Sequence, residues 1–168
     1  MKIPILHLED GDHQIEGVIK AGTQQFFHSE FYPNNINVLV KLNKFGNSIS
    51  CQIELSTVAH LICDRCLSEF DKKINEKFEL LFYLGQKDLE TDEEDIIHLS
   101  PEVKEIDIDP HIQEVLILVL PMKQLCREEC KGICAGCGVD LNSEVCQCKE
   151  KPVDTRWDKL IQLRNQKS

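Results

Sequence analysis

The chain has 168 residues, 42% of them hydrophobic, which suits one domain with a small appendage and a real core. A formal net charge of -10 opposes general attraction to a phosphate backbone. No apolar run is long enough to cross a membrane, and residues 1–7 lack the apolar stretch and cleavage site of a secretory signal, so a cytoplasmic protein without a membrane partner is expected.

The charge is uneven. Residues 88–109 carry ten Asp/Glu against one Lys, whereas residues 122–168 carry nine Lys/Arg against seven Asp/Glu. Only the C-terminal quarter can approach an anionic partner without strong repulsion.

In chain order, residues 3–8 read as a short strand, Asp10-Gly11-Asp12 as a turn, and residues 13–20 as a weaker second strand. Phe26, Phe27, Phe31 and Tyr32 are apolar enough to pack on a core before Pro33-Asn34-Asn35 breaks the chain. The strongest β signal follows. Ile36, Val38, Val40 and Leu42 alternate with Asn37, Leu39, Lys41 and Asn43. After a hairpin turn over Lys44-Phe45-Gly46-Asn47, the alternation resumes through Ile49, Cys51, Ile53, Leu55, Thr57, Ala59 and Leu61. That strand leads directly into Cys63-Asp64-Arg65-Cys66. A third long strand leaves it, with Phe70, Ile74, Phe78, Leu80 and Phe82 on one face.

Residues 86–95 read as a solvated acidic loop, and 96–99 and 105–108 as short extended pieces. Asp109-Pro110 predicts a helix start with an acidic N-cap, and Ile112, Val115, Leu116 and Val119 supply its apolar stripe. Ile117, Leu118 and Leu120 widen that stripe, which predicts a mostly buried helix ended by Pro121. Near the C-terminus, Trp157, Leu160 and Ile161 lie at helical spacing behind Asp154, predicting a short amphipathic terminal helix.

Six of the nine cysteines fall at positions 126, 130, 134, 137, 146 and 148, and two more form the CxxC at Cys63 and Cys66. A reducing cytoplasm and an odd count favour metal ligation over disulfides. A CxxC turn between two antiparallel strands aims two sulfurs the same way, as a tetrahedral metal site requires. Two groupings are compatible with the spacing. In one, Cys63, Cys66, Cys126 and Cys130 staple the sheet to the segment after the helix, and Cys134, Cys137, Cys146 and Cys148 close locally. In the other, Cys126, Cys130, Cys134 and Cys137 form one site, and Cys63, Cys66, Cys146 and Cys148 the second. The three-residue interval on both sides of Cys130 makes the latter awkward. Either way two structural zinc ions are expected, with Cys51 left as a buried strand residue.

Other chemistry is poorly supported. Residues 122–168 contain no histidine, and the H-x-E element of a zinc deaminase is absent. A thioredoxin-type CxxC needs a βαβ setting, whereas Cys63 follows a long strand. His7, His13, His28, His60, His98 and His111 are scattered. No phosphate-binding glycine loop, nucleophile elbow or small-molecule site is recognisable.

The run Cys63-Asp64-Arg65-Cys66-Leu67, then Leu120-Pro121-Met122-Lys123, then the stretch from Leu125 through Cys126, Arg127, Cys130, Lys131-Gly132-Ile133-Cys134, Gly136-Cys137-Gly138 and Asp140-Leu141-Asn142, resembles the bacterial YceD-like large ribosomal RNA subunit accumulation protein family. Cys146-x-Cys148 and the tail Asp154-x-Arg156-Trp157-x-x-Leu160 resemble it too. The resemblance implies a role in synthesis, processing or stability of large-subunit ribosomal RNA, without enzymatic activity, and favours the grouping of Cys63 and Cys66 with Cys126 and Cys130.

The expected architecture is α+β: an antiparallel sheet packed by one main helix over residues 1–121, a cysteine-rich, zinc-ribbon-like segment at 122–150, and a terminal helix within 151–168. The expected partner is a ribosomal protein, an assembly factor or a large-subunit rRNA precursor. Lys123, Arg127, Lys131, Lys149, Lys151, Arg156 and Lys159 offer the positive charge for RNA contact. Two alternatives are a thiol- or metal-dependent enzyme (an oxidoreductase or an rRNA-processing nuclease) and a general zinc-ribbon interaction module.

Overall fold

A computed structural model describes residues 1–23, 25–85 and 96–148. The acidic loop at 86–95, the expected terminal helix, and Lys149, Lys151, Arg156 and Lys159 lie outside the described residues.

The period-2 patterning builds a five-stranded sheet in the spatial order β2-β3-β4-β5-β6. Its strands are β2 (Gly11–Ile19), β3 (Ile36–Phe45), β4 (Ser48–Ile62), β5 (Glu69–Leu84) and β6 (Ile96–Leu99). The first four form an antiparallel meander, with Val40 opposite both Ile15 and Ile53, and Ile53 opposite Phe78. A separate ribbon pairs β1 (Lys2–Pro4) with β7 (Glu105–Asp107). The single described α-helix, α1, spans Asp109–Leu118.

One face of the sheet is the core. Val38, Val40 and Leu42 on β3 and Ile49, Cys51, Ile53, Leu55, Thr57, Ala59 and Leu61 on β4 are buried. Ile3, Ile106, Ile108, Ile112 and Leu116 pack over them from the ribbon and the helix. Tyr32 closes one side, its hydroxyl donating to the Leu116 carbonyl at 2.6 Å. This satisfies both a buried phenol and a carbonyl near the helix end. The inward file on β4 continues one step past the strand to Cys63, which is also buried. The alternation that fills the core therefore aims the first cysteine of the CxxC.

The structure differs from the sequence expectation in several places. The large sheet is mixed, because β6 runs parallel to β5, with Leu81 opposite Ile96. Residues 3–8 are extended only as far as Pro4, and that strand joins the ribbon with β7 rather than the main sheet. The second strand begins at Gly11, inside the expected turn. Ile108 occupies the helix N-cap, so Asp109 is the first helical residue, and the Asp107 carboxylate accepts the Asp109 N–H at 3.1 Å. The helix is not mostly buried: Ile112 and Leu116 are covered, but Leu118 is 74% exposed. One apolar stripe is all that a helix lying on a sheet can hide.

Candidate metal centres

The chain ends β4 by turning through Cys63-Asp64-Arg65-Cys66. The Leu67 N–H donates to the Cys63 carbonyl at 2.9 Å, and the Cys63 N–H to the Ser68 carbonyl at 2.9 Å. The same turn recurs at Cys134 to Cys137. Gly138 N–H donates to the Cys134 carbonyl at 2.8 Å, and Cys134 N–H to the Val139 carbonyl at 2.8 Å. In both, the residue after the second cysteine is left-handed: φ is 59° at Leu67 and 76° at Gly138. Glycine adopts that conformation freely, whereas leucine is strained in it.

Eight sulfurs converge in two sets of four. Cys63, Cys66, Cys126 and Cys130 form one, Cys134, Cys137, Cys146 and Cys148 the other, and within each set the sulfurs lie within 4.8 Å of one another. This is the first of the two groupings compatible with the spacing. In the first set Cys63 and Cys130 are 3.8 Å apart and Cys66 and Cys126 3.7 Å. In the second, Cys134 and Cys146 are 3.3 Å apart and Cys137 and Cys146 3.7 Å. A disulfide holds sulfurs at about 2.0 Å. Zinc–thiolate bonds of about 2.3 Å set tetrahedral edges of about 3.8 Å, so the donor type, number and spacing suit a tetrahedral thiolate metal.

The thiol electrostatics fit a cation. The Cys63 thiol is drawn down to about 6, chiefly by the Cys126 backbone N–H, with those of Cys66 and Arg65 adding. The Ser68 hydroxyl lowers Cys66. Burial and the neighbouring thiols push Cys126 up to about 12. The second set repeats the pattern. Cys134 falls to about 6 through the N–H groups of Cys137 and Gly136, and Cys148 rises to about 12 through hydrogen bonding with Cys137 and Cys146. In each set one thiol is drawn toward ionising while another resists it, Cys63 against Cys126 and Cys134 against Cys148. A divalent ion between them removes that resistance. Cys51 belongs to neither set. It is buried in the core, and burial pushes its thiol up to about 12.

The sequence reading missed the residues that brace these sulfurs. Gln124 and Asp64 exchange two bonds: Asp64 N–H to the Gln124 carbonyl at 2.8 Å, and Gln124 N–H to the Asp64 carboxylate at 2.6 Å. The Arg65 guanidinium donates to the Cys130 carbonyl at 2.7 Å, and the Arg65 carbonyl accepts Ile133 N–H at 3.0 Å. Gly132 (φ 77°) permits this approach, since a Cβ there would come within 2.8 Å of the Arg65 oxygen. Asn142 lies in the loop of the second set but donates to the Cys130 sulfur of the first at 3.5 Å. Its carbonyl accepts Lys131 N–H at 2.9 Å, and the Asp140 carboxylate holds its amide at 2.7 Å. The signal available in sequence was weak: polar residues beside turn glycines within a ligand run.

His60, two residues before Ile62, is not drawn into either set. It contacts the Asp71 carboxylate at 2.8 Å on the outer face of the sheet. Within 122–148, Lys123, Arg127 and Lys131 face four acids, Glu128, Glu129, Asp140 and Glu144. The positive excess of the C-terminal quarter therefore belongs to residues 149–168, not to the cysteine loops.

The sequence profile described as large ribosomal RNA subunit accumulation protein YceD matches residues 51–164, a stretch that includes all eight clustered cysteines. The chain belongs to the YceD family. It is similar to a chloroplastic protein of Arabidopsis thaliana named large ribosomal RNA subunit accumulation protein YCED homolog 1, at 29% identity over 163 residues, covering 80% of this chain and 51% of that protein. An uncharacterised protein of Mycobacterium bovis is 35% identical over 102 residues, covering 60% of this chain and 48% of that protein. The Zea mays chloroplastic YCED homolog 1 is 37% identical over 70 residues, covering 41% of this chain and 23% of that protein. The chain thus spans about half the length of the first two relatives. No solved structure matches it. No described helix is long and apolar enough to cross a membrane.

Proposed function

We propose that this YceD-family protein is a non-enzymatic factor that supports accumulation of large-subunit ribosomal RNA in the cytoplasm, with two structural zinc ions held by Cys63, Cys66, Cys126 and Cys130 and by Cys134, Cys137, Cys146 and Cys148. The observation that carries this reading is the family match across both cysteine clusters. The donor sets add support: four thiols fill a tetrahedral ion's coordination and leave it no open position for substrate, unlike a catalytic zinc. Bound there, each ion supplies cross-linking rather than chemistry.

In this reading residues 1–121 are the scaffold, 122–150 a zinc-ribbon-like segment and 151–168 an appended terminal helix. The direct partner is a basic ribosomal protein or assembly factor. That choice follows from the net charge of -10 and the acidic run at 88–109. Depletion followed by sucrose-gradient sedimentation tests the role. Loss of the large-subunit peak relative to the small-subunit peak is expected, and an undisturbed profile would overturn it. For the partner, tight sequence-selective retention of rRNA by the isolated protein at physiological salt would count against the protein-partner mode.

A further inference from the structure

The free edge of β2 offers a second, separate surface. β2 ends the sheet order, and no backbone bond from another described residue reaches its outer side. Which residues turn outward follows from the β3–β4 hairpin. Its two-residue turn at Gly46-Asn47 makes Phe45 and Ser48 a hydrogen-bonded pair. Counting back along β3, odd residues bond to β4 and even residues bond to β2, so Val40 bonds Ile15. The backbone groups of Asp12, Gln14, Glu16 and Val18 therefore face away from the sheet, and all four residues are exposed.

Sheet edges are commonly blunted by lysine, proline or a bulge. β2 contains no lysine or proline, and its register with β3 is continuous over nine residues. Its charge is acidic: Asp12 and Glu16 lie on the outer face, with Glu9 and Asp10 before them. Lys44, the cation beside this end, is paired with Asp10 at 3.0 Å. Inward from Glu16 and Val18, across β3 to β5 and away from the free edge, the outer face forms an open trough of about 890 Å³ lined by Leu39, Ser56 and Lys77 among others.

We propose that β2 accepts a basic, extended protein segment as an added antiparallel strand. The acids select the occupant. A second copy of this chain paired symmetrically about Gln14 would set Asp12 of each copy opposite Glu16 of the other, and like charges directly opposite are destabilising; centred on Ile15 it would set Asp12 opposite Val18 and Glu16 opposite Gln14, leaving both acids without a facing cation. A strand that places lysine or arginine opposite Asp12 and Glu16, four residues apart, and an apolar residue beside the exposed Val18, complements both the charge and the apolar end of the edge. The main-chain ladder supplies affinity and the two cations supply selection. This names a surface for the basic partner proposed above, but it rests on β2 alone and would stand if the rRNA role failed.

The test uses the full chain and a fluorescein-labelled peptide with the repeating order Val-Ile-Lys-Val-Thr-Ile-Lys, read by anisotropy. A peptide with both lysines changed to glutamate is expected to bind at least tenfold more weakly. Gln14→Pro removes one outward N–H and no bond to β3, so it is expected to weaken binding at least tenfold with an unchanged circular dichroism spectrum and melting temperature. Glu16→Lys is expected to weaken binding of the lysine peptide and to restore binding of a peptide carrying glutamate at the facing position. Equal binding of the two peptides, insensitivity to Gln14→Pro, or peptide-induced amide shifts outside β2 would overturn the proposal. So would a self-associating chain whose dimer is abolished by Gln14→Pro.

Discussion

The two cysteine clusters share a donor set and a CxxC turn, a knuckle at Cys63 to Cys66 and again at Cys134 to Cys137, but differ in what they join. The first gathers Cys63 and Cys66 at the end of β4 with Cys126 and Cys130 beyond α1, closing a loop of about sixty residues. Cys63 and Cys130 are buried. The second gathers four cysteines from positions 134 to 148, and Cys137 and Cys148 are exposed. The same four-thiol donor set thus joins distant segments in one place and a single local loop in the other. Sequence separation and burial decide which, not ligand identity.

The sharpest break in that comparison comes from paired substitutions. In zinc-loaded protein Cys63→Ser should lower the melting temperature by roughly 10 °C or more, because it opens the staple beneath the core. Cys148→Ser should lower it by less than about 3 °C while removing one metal equivalent. Differential scanning fluorimetry with metal analysis reads both. Equal shifts would erase the distinction.

A second prediction asks whether the clusters are independent. The Asn142 amide belongs to the second loop but reaches the Cys130 sulfur. Groups that hydrogen-bond metal ligands typically affect metal affinity by about 10–100-fold. Asn142→Ala should therefore weaken metal binding at the first cluster by about tenfold, measured by chelator competition in a Cys148→Ser background. An unchanged first-cluster affinity would show that the bond is incidental.

The smallest expected effect tests the likeness of the knuckles. Leu67 is left-handed at φ 59° and 63% exposed, so its side chain adds little packing to offset the strain. Leu67→Gly should stabilise by about 1 kcal/mol, raising the melting temperature by roughly 2–4 °C. Gly138→Ala, at the matching position of the second knuckle, should produce a shift of opposite sign.

Much of this was legible in the sequence where one physical rule acted alone. Alternation from Ile49 to Leu61 fixed the core face of β4, and the CxxC spacing marked the knuckle at its end. Orientation was not legible: Ile96 to Leu99 shows the same pleat whether it pairs parallel or antiparallel, so the mixed sheet was missed. The helix cap moved to Ile108 because Asp107, two residues before Asp109, accepts the Asp109 N–H. Cysteine spacing allowed two groupings, and the relation between Cys63 and Cys130 depends on how α1 returns the chain to the sheet. The bracing contacts of Asp64, Arg65, Gln124 and Asn142 were not legible because their partners are tertiary or lie in turns that spacing does not mark.

Both clusters are proposed here as structural zinc sites. Native mass spectrometry of the full chain, purified without added metal or chelator, tests this most directly. Two zinc ions per chain are expected, one of which is lost in Cys148→Ser. A wild-type chain carrying no metal, with its mass lowered by disulfide formation, would contradict the proposal.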